Sequence, residues 1–95
     1  MRPVTLTDLA AAARVLLALP EQQRRAGMAA LIAGAEAADR YRQTTGRLHP
    51  AYGNGTLLAA ALAHPAADPA TPGAPEYLAC LALATGVLVG QRSLS

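Results

Sequence analysis

The apolar residues of this chain are small or aliphatic almost throughout: hydrophobic residues make up 53% of it, yet there is no Phe, no Trp and only three Tyr. A core of Ala and Leu has many small pieces and few large ones. Burying one large apolar side chain stabilises a fold by roughly 1.5–3 kcal/mol, and Ala contributes far less. Such material packs well only where backbones approach closely, which points to helices laid tightly on one another. At 95 residues the chain is one domain, near the small end of what folds alone. A thin core of this kind favours self-association, because a second subunit supplies burial that the monomer lacks.

Periodicity predicts an all-α fold, a small bundle of about four helices. The first spans 5–19. Thr5 and Asp8 have capping-box spacing, with a carboxylate at the positive helix end, and Leu6, Leu9, Ala10, Ala13, Leu16 and Leu17 share a face. Pro20 ends this helix and suits the first position of the next. The second helix spans 20–45, with Met28, Leu31, Ile32, Ala35 and Ala38 as its apolar stripe and Glu36 placed to support Arg40 one turn on. Its small-ended run GMAALIAG (27–34) reads as core packing rather than a membrane motif. Gly46 is the natural C-terminal cap.

Residues 47–55 form a structured loop anchored by Leu48 and Tyr52, with Gly53-Asn54-Gly55 supplying positive φ. No strands flank it, so it is not a hairpin. Asn54 or Thr56 caps a short helix over 56–63, which His64-Pro65 closes. Residues 64–75, HPAADPATPGAP, are a Pro-rich linker expected to run over the surface in varied conformations. A last helix runs over 76–89, with Tyr77, Cys80, Leu81, Ala84, Val87 and Leu88 on one face and Gly90 beyond. The final five residues are expected to fray.

All eight basic residues are Arg and the net charge is only +2. Absence of Lys alongside abundant Ala, Gly and Pro is what a GC-rich genome encodes, so the Arg preference is weak testimony for phosphate recognition. One Cys, Cys80, allows no internal disulfide, and no Cys/His cluster offers a zinc site or any other metal site; on an apolar face it reads as an inert buried thiol. The start resembles a signal peptide only until Asp8 and Arg14 interrupt it at helical spacing. The apolar segment 77–90 is too short to span a bilayer, which needs about 20 residues. These features predict a cytoplasmic chain that makes no membrane contact.

Chemical variety is concentrated in residues 40–58, RYRQTTGRLHPAYGNGTLL, which hold Arg40, Arg42, Arg47, His49, Tyr41, Tyr52 and Asn54. A folded-back loop would bring Asp39, His49 and Tyr52 together as the start of a general-base arrangement. No nucleophile pairs with them, and GNG lacks the spacing and Lys of a phosphate loop. The stronger expectation is therefore no enzyme and no cofactor, with His49, Gly53, Asn54 and Gly55 holding the loop. Arg40, Arg42 and Arg47, with Tyr41 and Tyr52 interleaved and Arg24 and Arg25 upstream, form a candidate nucleic-acid surface. The competing reading is a solvated helix face. No helix-turn-helix is legible.

The segments MRPVTLTDLAAAARVLLALP, AADRYRQTTGRLHPAYGNGTLLAAAL and EYLACLAL, with the pattern TGR-x-HP-x-x-GNG at the centre, resemble a family of short alphaproteobacterial proteins of the gene-transfer-agent cluster, a domesticated phage that packages host DNA. Within it the chain looks like the first-gene product, a small-terminase-like subunit. The resemblance implies a non-catalytic homo-oligomer that binds double-stranded DNA weakly, without sequence specificity, and engages the large terminase. It implies that the hairpin of the first two helices, through Leu6, Leu9, Leu16, Leu17, Met28, Leu31 and Ile32, mediates oligomerisation. Segment 40–55 would face DNA or the motor. The alternative is a helical protein–protein interaction or regulatory module that never touches nucleic acid.

Overall fold

A computed structural model describes the backbone of residues 1–71 and 73–94, and side chains as far as Gln91. It is all-α: α1 (Leu6–Leu17), a 3-10 turn (Glu21–Gln23), α2 (Arg24–Thr45), α3 (Leu57–Leu62) and α4 (Pro75–Leu94). Helix α1 is the centre of the bundle, packed chiefly on α4 and α3, while α2 closes the other side against α3 and α4. The core joins Ala12, Ala13, Val15 and Leu16 of α1 to Met28, Leu31 and Ile32 of α2, to Leu57 and Ala61 of α3, and to Cys80, Ala84, Val87 and Leu88 of α4. Its largest fully buried members are Leu, Met and Ile, as the lack of Phe and Trp requires.

The start of α1 follows from two residues. The Asp8 amide donates to Thr5 Oγ1 (3.3 Å), while the Thr5 amide and hydroxyl both donate to Asp8 Oδ2 (2.7 Å each). This capping box satisfies backbone donors that the first helical turn cannot pair internally. Asp8 does more than cap. It is 4% exposed, and its second oxygen, Oδ1, accepts the Leu58 amide at 2.8 Å. One carboxylate thus joins the start of α1 to the start of α3. Thr56 caps α3 by accepting from the Ala59 amide (3.1 Å), and Asn54 Oδ1 holds Thr56 in turn.

Several expectations need correction. Leu6 does not face the core: it is 84% exposed, because the inward face of α1 begins at Asp8. Leu16, Met28, Leu31 and Ile32 are buried inside one chain, and Leu9 and Leu17 pack against that core. The four buried side chains are monomer core and are not free to meet another subunit, whereas Leu9 and Leu17 stay half-buried at its edge. Pro20 precedes a 3-10 turn rather than opening α2 directly. Helix α4 runs past Gly90 to Leu94, since Gly90 has no positive φ and no Pro follows it; the side chains of 92–94 and all of Ser95 lie outside the described residues. Glu36 and Arg40 make no ion pair among the described residues.

The linker is also more anchored than its composition implies. The Ala67 amide donates to Arg14 O (3.0 Å), and Arg14 pairs with Asp68 at 3.1 Å. Both glycines of the GMAALIAG run lie against other side chains, in keeping with a core role: a Cβ on Gly27 would lie 2.5 Å from Leu19 Cδ1, and one on Gly34 would lie 3.1 Å from the Tyr52 ring. No described helix is long and apolar enough to cross a membrane.

Burial alone pushes the Asp8 carboxyl up, but the Thr5 amide, Thr5 hydroxyl and Leu58 amide together outweigh it and hold it below the ordinary carboxylate range. A carboxylate depressed in the folded state adds stability above its unfolded pKa of about 3.9, and that contribution disappears as pH falls through the folded value. Asp8→Ala is expected to cost about 2 kcal/mol at neutral pH and to flatten the acid limb of the stability curve. Urea denaturation of both proteins between neutral pH and strong acid measures this; parallel acid limbs would exclude the role.

Candidate functional site

Helix α2 is longer than the bundle it belongs to. Its last buried residue is Ala38, and all nine residues from Arg40 to Leu48 are exposed. The final turns therefore project from the globule. Gly46 ends the helix with φ 71°, and its amide donates to Arg42 O at 2.8 Å. Thr44 and Thr45 return their hydroxyls to the carbonyls of Arg40 and Tyr41 one turn back (2.8 and 2.7 Å), a local back-bonding that occupies both hydroxyls.

The chain then closes a small rigid loop. His49 and Gly53 form an isolated antiparallel bridge through His49 N–H to Gly53 O (2.8 Å) and Gly53 N–H to His49 O (3.0 Å). Inside it, His49 Nδ1 accepts the amides of Ala51 (3.0 Å) and Tyr52 (3.1 Å). That double acceptance places the neutral ring's proton on Nε2. The imidazole stacks on Tyr52 (5.1 Å, 25°) and meets Tyr41 edge to face (5.2 Å, 71°). Gly53 and Gly55 take φ of 77° and 90°. A Cβ on Gly55 would sit 2.9 Å from Asp39 Cα, so only glycine lets the loop lie on α2 here.

Asp39 and His49 do not form a catalytic pair. The Asp39 carboxylate meets the Met1 amino group at 3.2 Å and the Gln43 amide nitrogen at 3.3 Å, while His49 is occupied with its own loop. The described cavities measure about 230, 220, 280 and 170 Å³, each below the roughly 300–1,000 Å³ common for small-molecule sites. Among the described residues no group of His, Cys, Asp and Glu is placed to hold a metal. Cys80 is buried, and burial pushes its thiol up against a smaller opposing pull from Arg24, which disfavours the reactive thiolate.

The residues expected to form a nucleic-acid surface do not stay together. Arg40, Arg42 and Arg47 are exposed together on the projecting segment, with no ion pair among the described residues. Arg25 is exposed but lies at the other end of α2. Arg24 must be reassigned. It is 8% exposed; Nε donates to the carbonyls of Leu16 (2.9 Å) and Leu19 (3.1 Å), and Nη2 pairs with Glu76 at 2.8 Å. The Glu76 hydrogen bond, opposed by burial, pushes the guanidinium pKa further up. Tyr52 is also structural, half-buried between His49 and Gly34. Leu48, expected to anchor the loop, is instead 62% exposed. His49 was the residue that could have flagged this, since a ring bonding two amides just ahead of it anchors a loop without help from Leu48.

The described residues form an all-α bundle with a projecting cationic segment at the end of α2. The family description of DUF7742, a domain of unknown function, matches residues 2–88, and the chain belongs to that family. No curated protein and no solved structure matches it.

Arg24→Ala is expected to cost about 2 kcal/mol, because it strips α1 of its carbonyl partners and leaves Glu76 unpaired at the surface. Arg25→Ala should stay within about 0.5 kcal/mol. Thermal unfolding of the two variants tests the division; equal effects would return Arg24 to the surface.

Proposed function

We propose that this chain is a non-catalytic, oligomeric adaptor that binds double-stranded DNA weakly and without sequence preference through the projecting end of α2, working in the cytoplasm as a small-terminase-like subunit alongside a large terminase. The observation that carries the DNA part is the exposed run 40–48, with three arginines lacking acidic partners among the described residues. The adaptor role and the terminase partner rest on the sequence resemblance.

The geometry of the run favours phosphates over bases. Arg40 and Arg42 are two residues apart, so they diverge around the helix rather than sharing a face. A helix end is about 10–12 Å across with side chains, close to the roughly 12 Å width of the major groove. Presented there, divergent arginines reach the backbones on either side. Contacts of that kind position a protein without reading sequence.

Arg40→Ala with Arg42→Ala is expected to weaken DNA binding by about tenfold or more at low salt, and to lower the slope of log affinity against log salt by about 2. Gel shifts on unrelated duplexes over a salt series measure both. Unchanged affinity and slope would exclude this surface. Exposure of Tyr41 (36%) and Leu48 (62%) on the same segment favours the second reading, a protein-interaction module, since aromatic, Arg and apolar anchors dominate protein interfaces. No retardation of any duplex at low salt would select that reading.

A further inference from the structure

The two ends of α2 differ in a complementary way. At its N-terminal end Arg24 reaches Glu76 at 2.8 Å. Beside Glu76 opens a cavity of about 220 Å³ whose mixed lining includes the apolar Leu17, Pro69 and Tyr77 and the carboxylate-bearing Asp68 and Glu76. The two carboxylate side chains are 84% and 66% exposed. Each has one Arg partner, and a carboxylate offers about four acceptor positions. At the C-terminal end, Leu48 stands 62% exposed next to Arg47, with Pro50 and Ala51 exposed after it. The His49–Gly53 bridge and the two amide bonds to His49 fix this tip, so little freedom is lost when it docks.

We infer that the tip of one copy, Arg47 to Pro50, seats in the Asp68/Glu76 cavity of a second copy, with Leu48 entering the apolar lining and the Arg47 guanidinium meeting Asp68. The tip cannot reach the cavity of its own chain, because the 22 residues of α2 lie between them, about 33 Å at 1.5 Å per residue. Charge favours this cavity. The cavity beside α3 carries Arg14 and His64, the one below Leu19 carries His64, and neither carries a carboxylate; the smallest, about 170 Å³, carries Glu21 but also the Arg24 guanidinium, which opposes an incoming arginine.

The contact joins two different patches, so it is heterologous. Each copy keeps a free tip or a free cavity, and addition continues until the rotation closes a ring or extends as a filament. This inference rests on the oligomeric part of the reading above. It uses Arg47 and Leu48 and leaves Arg40 and Arg42 on the helix barrel.

The test is sedimentation velocity and native mass spectrometry of the full chain from roughly 1 to 200 µM. The wild type should form species larger than a dimer, growing with concentration. Leu48→Ser and Asp68→Lys, both at exposed positions and checked for fold by circular dichroism, should each associate at least tenfold more weakly. Mixed in equal amounts, these two variants should form a heterodimer and nothing larger, since one retains only its cavity and the other only its tip. A wild type that stays monomeric, a closed dimer, assembly indifferent to both variants, or a mixture that stays monomeric would each overturn the contact. Gel shifts with wild-type protein keep the two readings apart: DNA binding by a monomeric wild type leaves the nucleic-acid surface standing while this contact fails.

Discussion

Arg24 is the side chain on which the arrangement of helices turns. Its guanidinium holds two carbonyls at the end of α1, stands at the first residue of α2, and reaches the first turn of α4. Three of the four helices therefore meet at one charge. Burying a guanidinium is costly unless its donors are well used, and here the carbonyls of Leu16 and Leu19, at and just past the end of α1, accept from it. In a core with few large side chains, directional bonds of this kind specify which helix meets which, where apolar packing alone would allow alternatives. Asp8 has the corresponding role at the opposite end of α1, linking it to α3.

With both ends of α1 fixed, the bundle uses only part of α2. The helix is committed to the core as far as Ala38, and the remainder is free to carry something outward. The residues that follow spend their polar groups locally: threonine hydroxyls on helix carbonyls, the imidazole on loop amides, glycines on the turns. Arginine and leucine side chains are left to solvent. The loop is thus held by its own bonds, and the exposed arginines of the segment are not spent on holding it.

Local signals in the sequence located most of the fold. Thr5 with Asp8, Gly46, Thr56 and the Gly53-Asn54-Gly55 run each act within a few residues, and each appears where periodicity and cap chemistry place it. What was not legible depends on distant partners. Arg24 sits among charged neighbours and reads as surface, and its partner Glu76 lies 52 residues away. Leu6 reads as part of an apolar helix face and Leu48 as a loop anchor because they are leucines, yet one precedes the inward face of its helix and the other follows a helix that has already left the core. Of the candidate surface, the cluster Arg40, Arg42 and Arg47 was visible as composition. The opposition of a cationic tip and an acid-edged cavity at the two ends of α2 emerges only once the chain is folded.

The alanine-dominated core also has a calorimetric consequence. Heat capacity of unfolding rises with the apolar surface exposed, and averages about 12–15 cal/mol/K per residue. Much of this interior is Ala12, Ala13, Ala35, Ala38, Ala60, Ala61 and Ala84, each hiding little hydrocarbon. The increment should fall at or below the lower end of that range. Stability would then vary gently with temperature, a shallow dome in which neither cooling nor moderate warming changes the folded population sharply.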